Sequence, residues 1–138
     1  MTTDEAIAQT MQQLGHDAVA AQRVLSVSSG EQRNRALHAI AASLRRHRAA
    51  ILAANELDMN AASGAGLGRA ALDRLQLDAA RVEAMARGVE DIAALPDPIG
   101  TVLAEWTRPN ALRFQRVRVP LGVIGIIYES RPNVTCDA

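Results

Sequence analysis

The chain of 138 residues has no lysine, a single cysteine, and one each of tryptophan, tyrosine and phenylalanine. Each shortage closes off a class. One cysteine excludes an internal disulfide framework and fits a reducing compartment. With aromatics at 2% of residues, the 49% apolar content comes mostly from Ala, Leu, Ile and Val, which suits closely packed helices better than a β-sandwich. Net charge is zero, since 15 basic residues match 15 acidic ones, so neither a basic surface for nucleic acid nor an acidic tail is expected. No apolar run approaches the roughly 18 residues of a membrane span. The acidic start, Met1-Thr2-Thr3-Asp4-Glu5, lacks the basic and apolar regions of a signal peptide. These features predict a cytoplasmic protein without a membrane segment. The histidines at 16, 38 and 47 share no spacing that suggests a metal site.

What is present begins with helical periodicity. Thr2 and Glu5 stand at capping-box spacing, and Ile7, Met11, Leu14, Ala18, Ala21 and Leu25 follow in steps of three and four. Ser26–Gly30 breaks that helix, and Ser28 with Glu31 repeats the capping spacing. A second pattern runs through Leu37, Ile40, Leu44, Ile51, Leu52 and Leu57, as one helix or as two with a break near His47. Arg45, Arg46 and Arg48 beside His47 read either as a phosphate site or as a solvated helix face. Asn55, Asp58 and Asn60 weaken the helix end. Residues 63–68 carry three glycines but no following Lys-Ser/Thr pair, so they read as a connector. Leu72–Leu75 predicts a short helical turn. Asp78 caps a helix with Val82, Met85, Val89, Ile92 and Leu95 on one stripe, and Pro96 and Pro98 end it.

The pattern changes at Thr101. Thr101–Thr107 and Leu112–Val119 predict a hairpin joined by a type I turn at Arg108-Pro109-Asn110-Ala111. Leu112 and Phe114 fall on even positions and Val117 and Val119 on odd ones, which implies a bulge. The hairpin reads as an ordinary surface element or as an arm against another subunit. From Gly122 to Tyr128 the chain is apolar without alternation, as in a strand buried on both faces. A polar loop, Glu129–Asn133, and a helix start near Thr135 follow. Open α/β sheets place ligands at such a junction.

The segment V-P-L-G-V-I-G-I-I-Y-E-S-R-P-N-V-T from Val119 onward resembles the gamma-glutamyl phosphate reductase family of the aldehyde dehydrogenase superfamily. Further matches fall in order: the helix Arg33–Leu44, I-L-A-A-N-E-L-D at 51–58, A-L-D-R-L at 71–75 and D-P-I-G at 97–100. The resemblance implies an α/β, aldehyde dehydrogenase-like fold, here its N-terminal helices, a β-hairpin and the first strand of the cofactor-binding sheet. It divides the chain into a helical part of the cofactor-binding domain at 1–100, a hairpin of the oligomerisation arm at 101–119, and a first strand with site loop at 120–138.

The implied activity is NADPH-dependent reduction of L-glutamate 5-phosphate to L-glutamate 5-semialdehyde, with phosphate release, through a cysteine thioester in proline biosynthesis. Asn133 matches the side-chain amide that the superfamily uses as an oxyanion donor, although the loop from Gly125 is longer here; a turn-former bonding its own backbone is the other reading. Ile127, Tyr128, Glu129 and Ser130 would line the nicotinamide site. Arg131 offers two parallel hydrogen bonds to a carboxylate or phosphate, or a salt bridge to Glu129. Cys136 matches no nucleophile motif and is expected to point into the core as a small apolar residue. The family's nucleophile lies further along, so the chain alone is expected to be inactive. The resemblance also implies a homo-oligomer through the hairpin and the upstream glutamate 5-kinase as partner, with neither nucleic acid nor membrane. Two rival readings remain: a related NAD-dependent aldehyde dehydrogenase, against which Pro132 stands in place of an aromatic, and a non-catalytic helical interaction fragment.

Overall fold

The structure, a computed structural model, describes residues 3–138. The chain forms two compact units, one made of Met1–Gly30 and Pro96–Gly125, the other of Glu31–Leu95 and Ile126–Ala138.

The first unit contains α1 (Thr3–Leu25), β1 (Val102–Thr107) and β2 (Arg113–Val117). Asp4 and Glu5 in the first turn of α1 and Arg23 in its last suit the helix dipole. Thr2, the expected cap, lies outside the described residues. The predicted apolar stripe is there, but Ile7, Met11 and Leu14 are each more than half exposed. The Ser28 hydroxyl donates 2.8 Å to the Leu25 carbonyl as α1 ends. Gly30 fits because the Asp97 carboxylate occupies the space a Cβ would take.

β1 and β2 pair antiparallel, with Trp106 opposite Phe114 and their rings stacked at 5.8 Å. On the other face Glu105 accepts from Arg113 at 2.8 Å and from Gln115 at 2.5 Å, which holds its carboxyl below the ordinary range. The turn closes with Ala111 N donating to Arg108 O and Arg108 N donating to Leu112 O, both at 2.9 Å. Ala111 takes φ 63°, a left-handed conformation that the turn prediction did not include. The irregularity exists, but on β1: Val102 to Ala104 spans a single step from Val117 to Arg116. The phase change in β2 is thus absorbed by an extra residue, Leu103, on its partner.

The second unit carries α2 (Gly30–Arg46), α3 (Arg48–Gly64), α4 (Arg69–Leu75), α5 (Ala79–Ala93) and α6 (Val134–Asp137). The break at His47 falls where it was expected. Asp78 caps α5 by accepting 2.7 Å from Arg81 N. The buried face of α5 is Val82, Met85, Ala86, Val89 and Ala93, while Ile92 and Leu95 are 58% and 60% exposed. Ala41 on α2 packs with Ala86 and Val89, flanked by Leu37, Leu44 and Cys136. Arg45 ties α2 to α5, donating to Glu83 at 3.0 and 3.1 Å and to Glu90 at 2.5 and 2.8 Å. It is therefore a structural fork and not a phosphate ligand.

Two expectations need correction. Asn55 does not weaken the end of a helix: α3 continues to Gly64, and Asn55 lies within it, only 5% exposed. The run from Gly122 to Tyr128, expected as a buried first strand of a sheet, forms no ladder, since β1 and β2 pair only with each other. Leu121, Ile124 and Ile127 are 88%, 63% and 103% exposed. A strand needs neighbours for its amides and carbonyls and layers over its faces, and the described residues supply neither. Among the described residues no helix is long and apolar enough to cross a membrane.

Candidate functional site

The polar loop that follows the apolar run turns into α6 through a short series of local bonds. Ser130 takes φ 55°, which bends the chain sharply ahead of Arg131. Val134 N donates to Arg131 O at 3.0 Å, and Cys136 N and Asp137 N donate to Asn133 O at 2.9 and 3.1 Å. The hydroxyls of Tyr128 and Thr135 lie 2.5 Å apart and clip the loop's two ends together. Asn133 Nδ2 donates 2.6 Å to Asp137 Oδ2, which fixes the amide plane and leaves its second N–H for another acceptor.

Arg131, Asn133 and Asp137 face Asp73, Arg74 and Arg81 across an open cleft of about 390 Å³. Glu129, Ser130 and Arg131 also line a neighbouring cleft of about 510 Å³, again with Arg74. Three of the predicted site residues are therefore brought together with Arg131, and the salt bridge from Arg131 to Glu129 is not formed. Ile127 is fully exposed and Tyr128 is 46% exposed. These two present an open surface, so the residues of this chain alone do not enclose a nicotinamide.

Cys136 is half-buried against Ala41, Ala86 and Val89. Burial, and secondarily the neighbouring Asp137 carboxylate, raise the pKa of its thiol, the opposite of what a nucleophile needs. The expected core role holds. Among the described residues no group of His, Cys, Asp and Glu could hold a metal ion.

Sequence reading missed the wall opposite Arg131. Asn55 Nδ2 donates 2.9 Å to Leu75 O, and Asn55 Oδ1 accepts 2.7 Å from Leu77 N. Arg81 donates to Asp73 O at 2.5 Å, Gln76 O at 2.6 Å and Asp73 Oδ1 at 3.0 Å. The A-L-D-R-L stretch was read only as a helical turn, and its one useful signal was a charged Asp-Arg pair inside so short a helix.

No family model matches the chain. It is 59% identical, over its whole length, to the gamma-glutamyl phosphate reductase of Rhodospirillum rubrum. The gamma-glutamyl phosphate reductases of Paramagnetospirillum magneticum and Brucella suis are likewise similar over the whole chain, at 54% and 53% identity. The chain spans about a third of the length of the curated relatives it matches, 32% in the Rhodospirillum rubrum case. Two crystal structures of gamma-glutamyl phosphate reductases have the same fold over this stretch. The Thermotoga maritima structure superposes with a TM-score of 0.84 at 42% identity, covering 86% of this chain and 29% of that one. The Saccharomyces cerevisiae structure gives 0.85 at 34% identity, covering 91% and 32%. The helices and hairpin seen here are thus those of the N-terminal part of gamma-glutamyl phosphate reductase.

Proposed function

We propose that this chain supplies one wall of the active site of an oxidoreductase of proline biosynthesis, which reduces L-glutamate 5-phosphate to L-glutamate 5-semialdehyde and releases phosphate. The observation that carries this reading is the match of the whole chain, at 59% identity, to about a third of a protein named gamma-glutamyl phosphate reductase. NADPH is the proposed hydride source, with Ile127, Tyr128, Glu129 and Ser130 on its nicotinamide side. These residues do not by themselves enclose the ring, since Ile127 is fully exposed and Tyr128 nearly half so.

The chain's own contribution is electrostatic. Asn133, held by Asp137, offers its second N–H to the oxyanion that forms when a thiolate adds to the acyl carbon. Arg131 holds an anionic end of the substrate. The thiolate is proposed to come from outside this chain, because Cys136 is half-buried against Ala41, Ala86 and Val89 and burial raises its pKa. The hairpin is proposed as the arm of a homo-oligomer, because Trp106 and Phe114 stack on a face that leaves each 41% exposed. Glutamate 5-kinase, which makes the unstable acyl phosphate, is the proposed upstream partner, and a cytoplasmic site suits both.

The test is NADPH oxidation and phosphate release with L-glutamate 5-phosphate, measured for the protein whose reading frame contains this chain and for the 138-residue chain alone. Turnover is expected from the former only. Turnover by the chain alone, or a preference for oxidising free aldehydes with NAD, would overturn the proposal.

A further inference from the structure

Two guanidinium groups, from Arg74 and Arg131, line both clefts beside α6. Both side chains are exposed, and neither forms an ion pair among the described residues. Three carboxylates lie beside them, Asp73 and Asp137 in the first cleft and Glu129 in the second. Asp73 is paired with Arg81 at 3.0 Å, and Asp137 accepts from Asn133. Glu129 lines the second cleft but pairs with neither arginine. Each cleft is nonetheless lined by one more basic than acidic side chain, and that positive excess favours an anion from solution.

The mounting of Arg74 adds to this. The backbone on either side of it is pinned by Asn55 at Leu75 and Leu77, and by Arg81 at Asp73 and Gln76. A buried amide and an arginine with three hydrogen bonds thus hold one short turn, so little ordering remains when a ligand arrives. Arg131 sits on the loop clipped by Tyr128 and Thr135.

We infer that Arg74 and Arg131 together form a binding site for a phosphate-type oxyanion, with Arg74 as a specificity residue. The inference rests on the proposed function for the identity of that anion, the phosphoryl end of the substrate. A planar guanidinium matches two oxygens of a phosphate, and two of them suit a dianion better than a monocarboxylate.

The experiment is NMR titration of the arginine Nε–Hε resonances of the chain with inorganic phosphate at constant ionic strength, with acetate as the second arm. Arg74 and Arg131 are expected to shift together along one binding curve. Arg74→Gln and Arg131→Gln should each weaken phosphate at least tenfold, and Arg46→Gln should leave it unchanged. The lysine variants at 74 and 131, which keep the charge and lose the fork, should fall between. Shifts confined to one arginine, equal binding of acetate, or retained affinity in either glutamine variant would overturn the site. Binding is read without turnover, so a chain that binds phosphate within an inactive full-length protein would sink the proposed function and leave this site standing.

Discussion

Asn55 and Leu77 are joined by a 2.7 Å hydrogen bond from the Leu77 amide to the Asn55 side-chain oxygen, while the Asn55 amide donates to Leu75 O at 2.9 Å. The side chain thereby imitates a peptide group, satisfying one donor and one acceptor where the chain leaves α4 with no helical partner for them. Asn55→Ala would orphan both in a site that is nearly sealed. A loss of about 2–4 kcal/mol is expected from two unsatisfied backbone groups. Urea unfolding checks it, and a midpoint within error of the parent would refute the role.

The Arg45 fork makes a prediction about acid. Hydrogen bonds from Arg45 hold the Glu83 and Glu90 carboxyls below their ordinary pKa. Groups depressed on folding stabilise the folded chain above the unfolded carboxylate value, about 4.3, and that contribution disappears as pH falls through the depressed values. Arg45→Met should therefore melt lower than the parent at pH 7, and the gap should close as pH falls below the unfolded carboxylate value and through the depressed ones. A gap of constant size across this range would show that Arg45 acts through packing alone.

Ala111 gives a test of the hairpin. Its φ of 63° costs a Cβ-bearing residue energy that glycine avoids. Ala111→Gly should stabilise the chain by up to about 1 kcal/mol, the relief of strain exceeding the added entropy of the unfolded state. Thermal unfolding should show the midpoint rising, and a fall would mean that the turn relaxes in solution.

Cys136 should behave as a core residue. Its thiol pKa is raised by burial and by Asp137, so alkylation by iodoacetamide near pH 8 should run slower than for a free small thiol. In denaturant it should accelerate by at least about tenfold as the thiolate becomes accessible. Equal rates in the folded and unfolded chain would remove Cys136 from the core.

Much of this was legible in the residues themselves. The three-and-four spacing fixed the helices, His47 and the glycines of 63–68 fixed two breaks, and Asp78 marked the start of α5. Those are local effects, because a cap or a Pro acts within a few residues of itself. The hairpin came from two β-like runs around Pro109-Asn110, and the placement of Cys136 against the core was expected from its position at the start of the helix after the motif. The motif around E-S-R-P-N-V-T carried the resemblance to gamma-glutamyl phosphate reductases, and with it the expected loop.

Partner choice was decided only by the tertiary structure. Sequence spacing put Ile92 and Leu95 on the α5 stripe, but the fold buries Ala86 and Ala93 instead and packs Ala86 with Ala41 of α2, a choice of partner that helical spacing does not contain. Asn55 looked like a helix weakener until the chain after α4 came back to it. Fifteen arginines are alike in sequence, and only the fold separates Arg45 and Arg81, spent on structure, from Arg74 and Arg131, left facing a cleft. The run from Gly122 to Tyr128 shows the same division from the other side. Its residues specify a strand, but pairing needs a neighbouring edge, and that is a property of the surrounding fold rather than of the segment.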